Sequence, residues 1–166
     1  TPRAGGTTTT IYDPDARRTE RQFLSLAGTE LNCSGGRTPW GSSLSCEETF
    51  TDPGTSYTGG LRIVRNEKHG YVFEVRADAG GLVQAAPLRA LGRFDHEAAA
   101  VHPASGAVYL TEDRHHGLFY RFLPAVPGKL AEGGRLQALS VAGRPSMRTH
   151  NWSNVPDIRA GERLPV

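Results

Sequence analysis

The sequence holds two cysteines, Cys33 and Cys46, in 166 residues, with one methionine and two tryptophans. Two thiols make one disulfide at most, so this is not a disulfide-stapled scaffold, and the count does not reveal a redox compartment. No apolar run approaches the roughly 20 residues that a membrane-spanning helix needs. An excess of one charge is also missing. Nineteen Lys and Arg are interspersed with 17 Asp and Glu for a net charge of +2, which leaves no electrostatic footprint for nucleic acid. Neither a signal peptide nor an initiator methionine opens the chain, which starts TPRAGG and soon enters a strand-like run. The expectation is a piece cut from a longer polypeptide, with any export signal upstream.

What is present favours β structure. Twenty glycines, eleven prolines and short runs of threonine and valine, without long helical periodicity, describe an all-β chain broken by many turns. At 37% hydrophobic and 22% charged residues the chain is globular, neither disordered nor collagenous.

The strand signals recur in a fixed order. One type alternates apolar and polar residues: Gly6 to Pro14, Gly70 to Ala77 and Gly117 to Pro124. A second apolar strand follows each: Arg21 to Leu26, Ala86 to Gly92 and Arg135 to Val141. Two of these pairs lead into a third segment, beginning at Asn32 and at His96, and then a fourth, Ser43 to Glu48 and Val108 to Asp113. Cys33 and Glu97 are 64 positions apart and Glu47 and Glu112 are 65, as a structural repeat requires. The Gly-, Thr- and Ser-rich loop from Thr49 to Lys68 reads as an insertion. Four short antiparallel strands per repeat indicate the blades of a β-propeller, with a sandwich as the alternative.

Chemistry concentrates in NCSGGRTPWGSSLSCEE, from Asn32 to Glu48, where two thiols and two adjacent acids lie close in sequence. Thiolate selects softer metals and carboxylates suit calcium and ferric iron, so this mixture suits an iron or mixed-metal site. Adjacent acids repel, and a cation is the usual means of holding them together. In a propeller with the third segment innermost, the loop entering it and the loop leaving the fourth share a face. Cys33, Glu47, Glu48, Glu97, Glu112 and Asp113 should all open onto one rim. Arg37, Arg93 and Arg114 have the fork geometry that binds phosphate. A Cys33–Cys46 disulfide is the main rival to metal ligation. Trp40 reads as a packing residue under the Gly-Gly turn, and His96 as either a donor behind the metal ligands or a core histidine.

The motifs NCSGGRTPWG, SCEE, HGYVFEV, LGRFDHEAAAV, VYLTEDR, GLFYRFLP and GGRLQAL, in that order from about Gly5 to Val141, resemble the PhoX-type alkaline phosphatase family. The resemblance implies a six-bladed propeller of which this chain supplies about two and a half four-stranded antiparallel blades. Residues 1–143 would be the propeller fragment and 144–166 an irregular tail or the start of the next blade. It further implies a periplasmic or extracellular phosphomonoesterase, monomeric in its full-length form, acting on phosphate esters through a cluster of Fe3+ and Ca2+. Cys33 matches the thiolate ligand to iron, and Glu48 and Glu97 match carboxylate ligands, with Glu47 beside them. Glu112 and Asp113 fall where the family keeps further acids, and Arg93 and Arg114 are the substrate-binding candidates. Ser34 and the SSLS run before Cys46 depart from the pattern without removing a ligand atom, and the family's later Arg-Pro-Glu segment has no counterpart before Val166. The fragment alone is therefore expected to be inactive and prone to aggregate through its open sheet edges. A non-catalytic metal-binding propeller, or a hydrolase such as a calcium-dependent lactonase, is the alternative.

Overall fold

The computed structural model describes residues 3–144, 147 and 162–166, so most of the expected tail at 144–166 lies outside the described residues. Among the described residues there are eleven strands and no α-helix, with single 3-10 turns at Arg89–Leu91 and Leu130–Glu132. Among the described residues, no helix is long and apolar enough to cross a membrane. Strands β1 (Arg3–Asp13) and β2 (Arg18–Gly28) pair as a long antiparallel hairpin. Strands β3 (Gly36–Arg37), β4 (Ser42–Cys46) and β7 (Val72–Arg76) form a three-stranded sheet in the order β3-β4-β7. Between β4 and β7 stands a separate hairpin of β5 (Gly54–Thr58) and β6 (Leu61–Arg65). Strands β8 (His96–Val101), β9 (Val108–Glu112), β10 (Phe119–Pro124) and β11 (Gly134–Ala138) then make a four-stranded antiparallel meander.

Period-2 alternation explains how these layers cohere. On β7, Tyr71 just before the strand, Phe73 and Val75 face β2 and bury Leu26. The opposite face puts Val72 into the larger core, where Leu44 and Cys46 of β4 meet Ala99, Val108, Leu110 and Phe122 of the next sheet. Leu88, Leu91 and Leu130 from the 3-10 turns close that core. Trp40 packs against it, as its position predicted, and its indole N–H donates to Glu74 at 2.7 Å.

The two sheets meet along β3 and β8. Gly35 bridges Ala98 in parallel, its N–H donating to the Glu97 carbonyl at 3.1 Å while Ala99 N–H donates back to Gly35 at 3.0 Å. Side chains at the Gly-Gly pair would forbid this approach. A Cβ on Gly36 would stand 1.8 Å from the Ala99 carbonyl oxygen, and one on Gly35, whose φ is +71°, would stand 1.9 Å from that of Leu44.

Two expectations need correction. Ala86 to Gly92 is not a strand: Pro87 makes one bridge to Phe73, and the chain then turns through Arg89–Leu91. Proline has no N–H for a ladder, and the turn buries both Leu88 and Leu91. The Thr49 to Lys68 segment is not an irregular loop, because it contains the β5-β6 hairpin. Its two-residue turn is Gly59-Gly60, at φ +55° and +78°, the conformation that suits the twist of a tight hairpin.

Candidate metal centre

Each sheet ends its second strand on two successive acids. Glu47 and Glu48 follow β4, while Glu112 ends β9 and Asp113 follows it. Neighbouring side chains on an extended backbone point opposite ways, so only one acid of each pair can face a common centre. That acid is the second. Glu48 is held above the ordinary carboxylate range first by a hydrogen bond with Asp113, then by partial burial, while a hydrogen bond with Cys33 pulls the other way. The charges of Asp113 and Glu97 raise it further. Cys33, Glu48, Glu97 and Asp113 therefore face one another across the junction of β3 and β8. Glu97 is steadied by the Thr111 hydroxyl, which donates at 3.0 Å. Sequence reasoning missed Thr111, although its place two residues before Asp113 puts it on the same side of the strand.

The strand backbones fix this arrangement. Cys33 N–H donates to the Cys46 carbonyl at 2.8 Å and Glu48 N–H to that of Leu31 at 2.9 Å, so the thiol and the second acid are set by one ladder. Asp113 N–H donates to the Asp95 carbonyl at 3.1 Å, the equivalent bond one repeat on. Both cysteines are free thiols, so the expected rival disulfide is not formed. Burial, with the neighbouring Cys33 and Glu97 charges adding, pushes the Cys46 thiol up to about 12 and keeps it protonated.

The first acid of each pair turns into the protein instead. Glu47 is fully buried and accepts backbone N–H groups from Glu30 at 2.9 Å, Gly70 at 2.8 Å and Tyr71 at 3.1 Å, while His69 Nδ1 lies at 2.7 Å. Glu112 accepts Leu118 N–H and the Tyr120 hydroxyl, both at 3.0 Å. Most of the Glu47 donors come from the His69-Gly70-Tyr71 segment just ahead of β7, whereas Glu112 takes Leu118 N–H just ahead of β10 and the Tyr120 hydroxyl of β10 itself. The shared rim expected for all six residues thus resolves into four that converge and two, Glu47 and Glu112, whose oxygens are taken up by their own loops.

Arg93 and Arg114 line one cleft of about 610 Å3 together with Glu112 and Asp95. Arg93 donates to the carbonyls of His69 and Thr51 and to Asp52, and its guanidinium lies 4.0 Å from the centre of the Phe50 ring. Arg114 Nε donates to Asp95. Arg37 stays exposed on β3. His96 is fully buried and stacked on Phe94, and burial lowers it to about 4, so it is neutral near pH 7. Its Nε2 lies 3.3 Å from the Gly92 carbonyl and its Nδ1 has no partner.

The family model for alkaline phosphatase PhoX matches residues 3–163. The chain belongs to the PhoX alkaline phosphatase family. No curated protein matches it. The solved structure of Pseudomonas fluorescens PhoX in complex with vanadate, a transition state analogue, shares its fold with a TM-score of 0.53 at 24% identity. That likeness covers 82% of this chain and 32% of the PhoX chain, so the chain spans about a third of that protein's length.

The donors present suit the metal that the resemblance to PhoX implies. One thiol and three carboxyl groups offer a soft and a hard set, and Glu48 retains its proton more tightly than an ordinary carboxyl because the acids are crowded together. Among the described residues, no three His, Cys, Asp or Glu side chains stand ready around one ion.

Proposed function

We propose that this chain is the part of a PhoX-type, metal-dependent phosphatase that supplies Cys33, Glu48, Glu97 and Asp113 to a cluster of Fe3+ and Ca2+. The substrates are phosphate monoesters. The observation that carries this reading is the convergence of repeat-related residues, Cys33 with Glu97 and Glu48 with Asp113, where two sheets join through their first strands. The two sheets are propeller blades, the β1-β2 hairpin is the outer half of a third, and the junction of β3 and β8 lies beside the propeller axis. About two and a half of six blades are then present, in a periplasmic or extracellular, monomeric enzyme.

Cys33 as thiolate holds iron, and Glu48, Glu97 and Asp113 offset the positive charge of the cluster. When bound, the metal ions polarise phosphoryl oxygens and supply an activated oxygen nucleophile. The chain's own residues hold that chemistry in place. Thr111 orients Glu97, the Gly35-Gly36 approach fixes the distance between the two ligand-bearing strands, and sealed Glu47 sets the backbone from which Glu48 projects.

Elemental analysis for iron and calcium, with a phosphomonoesterase assay, on the full-length protein and its Cys33→Ala variant tests this. Near-stoichiometric iron and at least a hundredfold activity loss on substitution are expected, in line with removal of a metal anchor. Calcium alone, or activity that survives the substitution, would move the assignment to a binding propeller or to a hydrolase that needs no iron.

A further inference from the structure

Glu47 and His69 form a buried pair that the candidate metal centre does not use. Glu47 already accepts backbone N–H groups from Glu30, Gly70 and Tyr71, and a carboxylate only accepts. The 2.7 Å contact with His69 Nδ1 therefore assigns the ring proton to that nitrogen. In the neutral ring Nε2 then carries a lone pair, and it has no partner among the described residues. Glu47 thus holds a histidine acceptor in one orientation.

His69 lines a cleft of about 460 Å3 between the end of β2 and the segments that flank β7, a volume in the range of small-molecule sites. Phe73 and Pro87 give it an apolar wall, and Lys68 and Arg89 bring two cations to it against one acid, Glu67. Arg89 is steadied by Tyr71: it donates one guanidinium N–H to the hydroxyl at 3.2 Å and lies 5.1 Å from the ring centre, which leaves its other N–H groups for a ligand. Lys68 is exposed and has no ion-pair partner among the described residues. None of the four converging donors lines this cleft.

Two cations beside a fixed acceptor suit an oxyanion that also carries a proton. Above neutral pH inorganic phosphate is a monohydrogen dianion, with oxygens that accept and one O–H that donates. Sulfate has the same charge and shape but no proton, so it leaves the His69 lone pair unmatched and is repelled by the Glu67 carboxylate. A phosphate monoester dianion lacks the proton as well. We infer that this cleft is a site for inorganic phosphate, in which Lys68 and Arg89 hold the anionic oxygens and His69 Nε2 accepts the P–OH hydrogen bond. It separates free phosphate from phosphate esters, and it does so whether or not the converging donors carry out hydrolysis.

Amide exchange in the full-length protein at pH 8.5, with orthophosphate or sulfate added, reads the site locally. Orthophosphate should slow exchange at Glu67, Lys68 and His69, and sulfate should need about tenfold higher concentration for the same effect. Arg89→Ala and Lys68→Ala, both at exposed positions, should each weaken the phosphate response by about tenfold. His69→Asn, whose amide can still donate to Glu47, should remove the preference over sulfate. No slowing with phosphate, an equal response to sulfate, or a response untouched by Arg89→Ala and Lys68→Ala would overturn the inference. Exchange at Glu48 and Asp113 reports phosphate at the metal centre separately, so failure at His69 leaves the hydrolytic reading standing.

Discussion

The β3-β4-β7 sheet and the β8–β11 sheet present the same pattern of acids on two different supports. In the first, Glu47 is enclosed by three backbone N–H groups and His69; in the second, the equivalent Glu112 remains half-buried at the edge of a cleft and accepts one N–H and one hydroxyl. The first sheet carries the inserted β5-β6 hairpin, whereas the second passes from β9 to β10 through a short turn. Covering by the hairpin and its flanking loops turns an acid into a structural anchor. Without that cover the equivalent acid lies open at a cleft. A repeat therefore conserves which acid faces the centre, while the use of the other acid depends on the connection that follows.

Removing the two anchors should separate them most clearly. Glu47→Ala strands several buried donors and should cost about 4 kcal/mol, and Glu112→Ala, whose donors can reach water, should cost about 1 kcal/mol. Urea unfolding of the full-length variants measures both. Equal costs would mean that enclosure adds nothing and the two sheets are supported alike.

The contact between the sheets gives the next largest difference. Gly36→Ala forces a methyl into the Ala99 carbonyl and should cost about 3 kcal/mol by overpacking. The equivalent position 64 residues on is already alanine, Ala100, and is exposed. Ala100→Gly should cost only about 0.5 to 1 kcal/mol through strand entropy. A mild effect at Gly36 would show that β3 and β8 can separate without disturbing the fold.

Much of this was legible in the sequence because spacing constrains what it repeats. The 64- and 65-residue intervals identified Cys33 with Glu97 and Glu47 with Glu112, and the structure places each pair at equivalent strand ends. Spacing could not say which acid of Glu47-Glu48 faces the centre. That depends on the strand's rotation, which is set by long-range bonds such as Gly70 and Tyr71 N–H to Glu47. The hairpin was legible but overlooked, since GTSYT-GG-LRIVR has two five-residue strands around a diglycine turn. The loss of a strand at Ala86 to Gly92 was signalled by Pro87, yet its apolar residues suggested a strand because burial in a 3-10 turn leaves the same composition. Thr111 lies within VYLTEDR, yet nothing in the motif marks it as a site residue; its role comes from its neighbour across the strands, the Glu97 carboxylate.

The smallest expected effect is specific to the first sheet and follows from its hairpin. Arg65 of β6 forms a bidentate pair with buried Glu30, which also meets Arg3 at 3.1 Å and the Thr51 hydroxyl at 2.9 Å. The position 64 residues on is Phe94, and no inserted hairpin stands there to anchor. Burial alone would raise the Glu30 carboxyl, but the hydrogen bonds from Arg65 and Thr51 and the charges of Arg3 and Arg65 outweigh it, so its folded value lies below the ordinary 4.5. The unfolded chain then binds a proton at higher pH than the folded chain does. The resulting stabilisation is fully present above about 4.5 and is lost as pH falls through the lowered folded value. Glu30→Gln should cost about 1.5 kcal/mol at pH 7 and show a correspondingly smaller loss of stability on acidification from pH 5. Amide exchange at Ser56 and Ile63 should quicken in the variant before that of β9, because the hairpin opens locally when its anchor weakens. Equal acid sensitivity in the variant and the wild type would show that Glu30 does not hold the hairpin, and that its β5-β6 ladder alone keeps it in place.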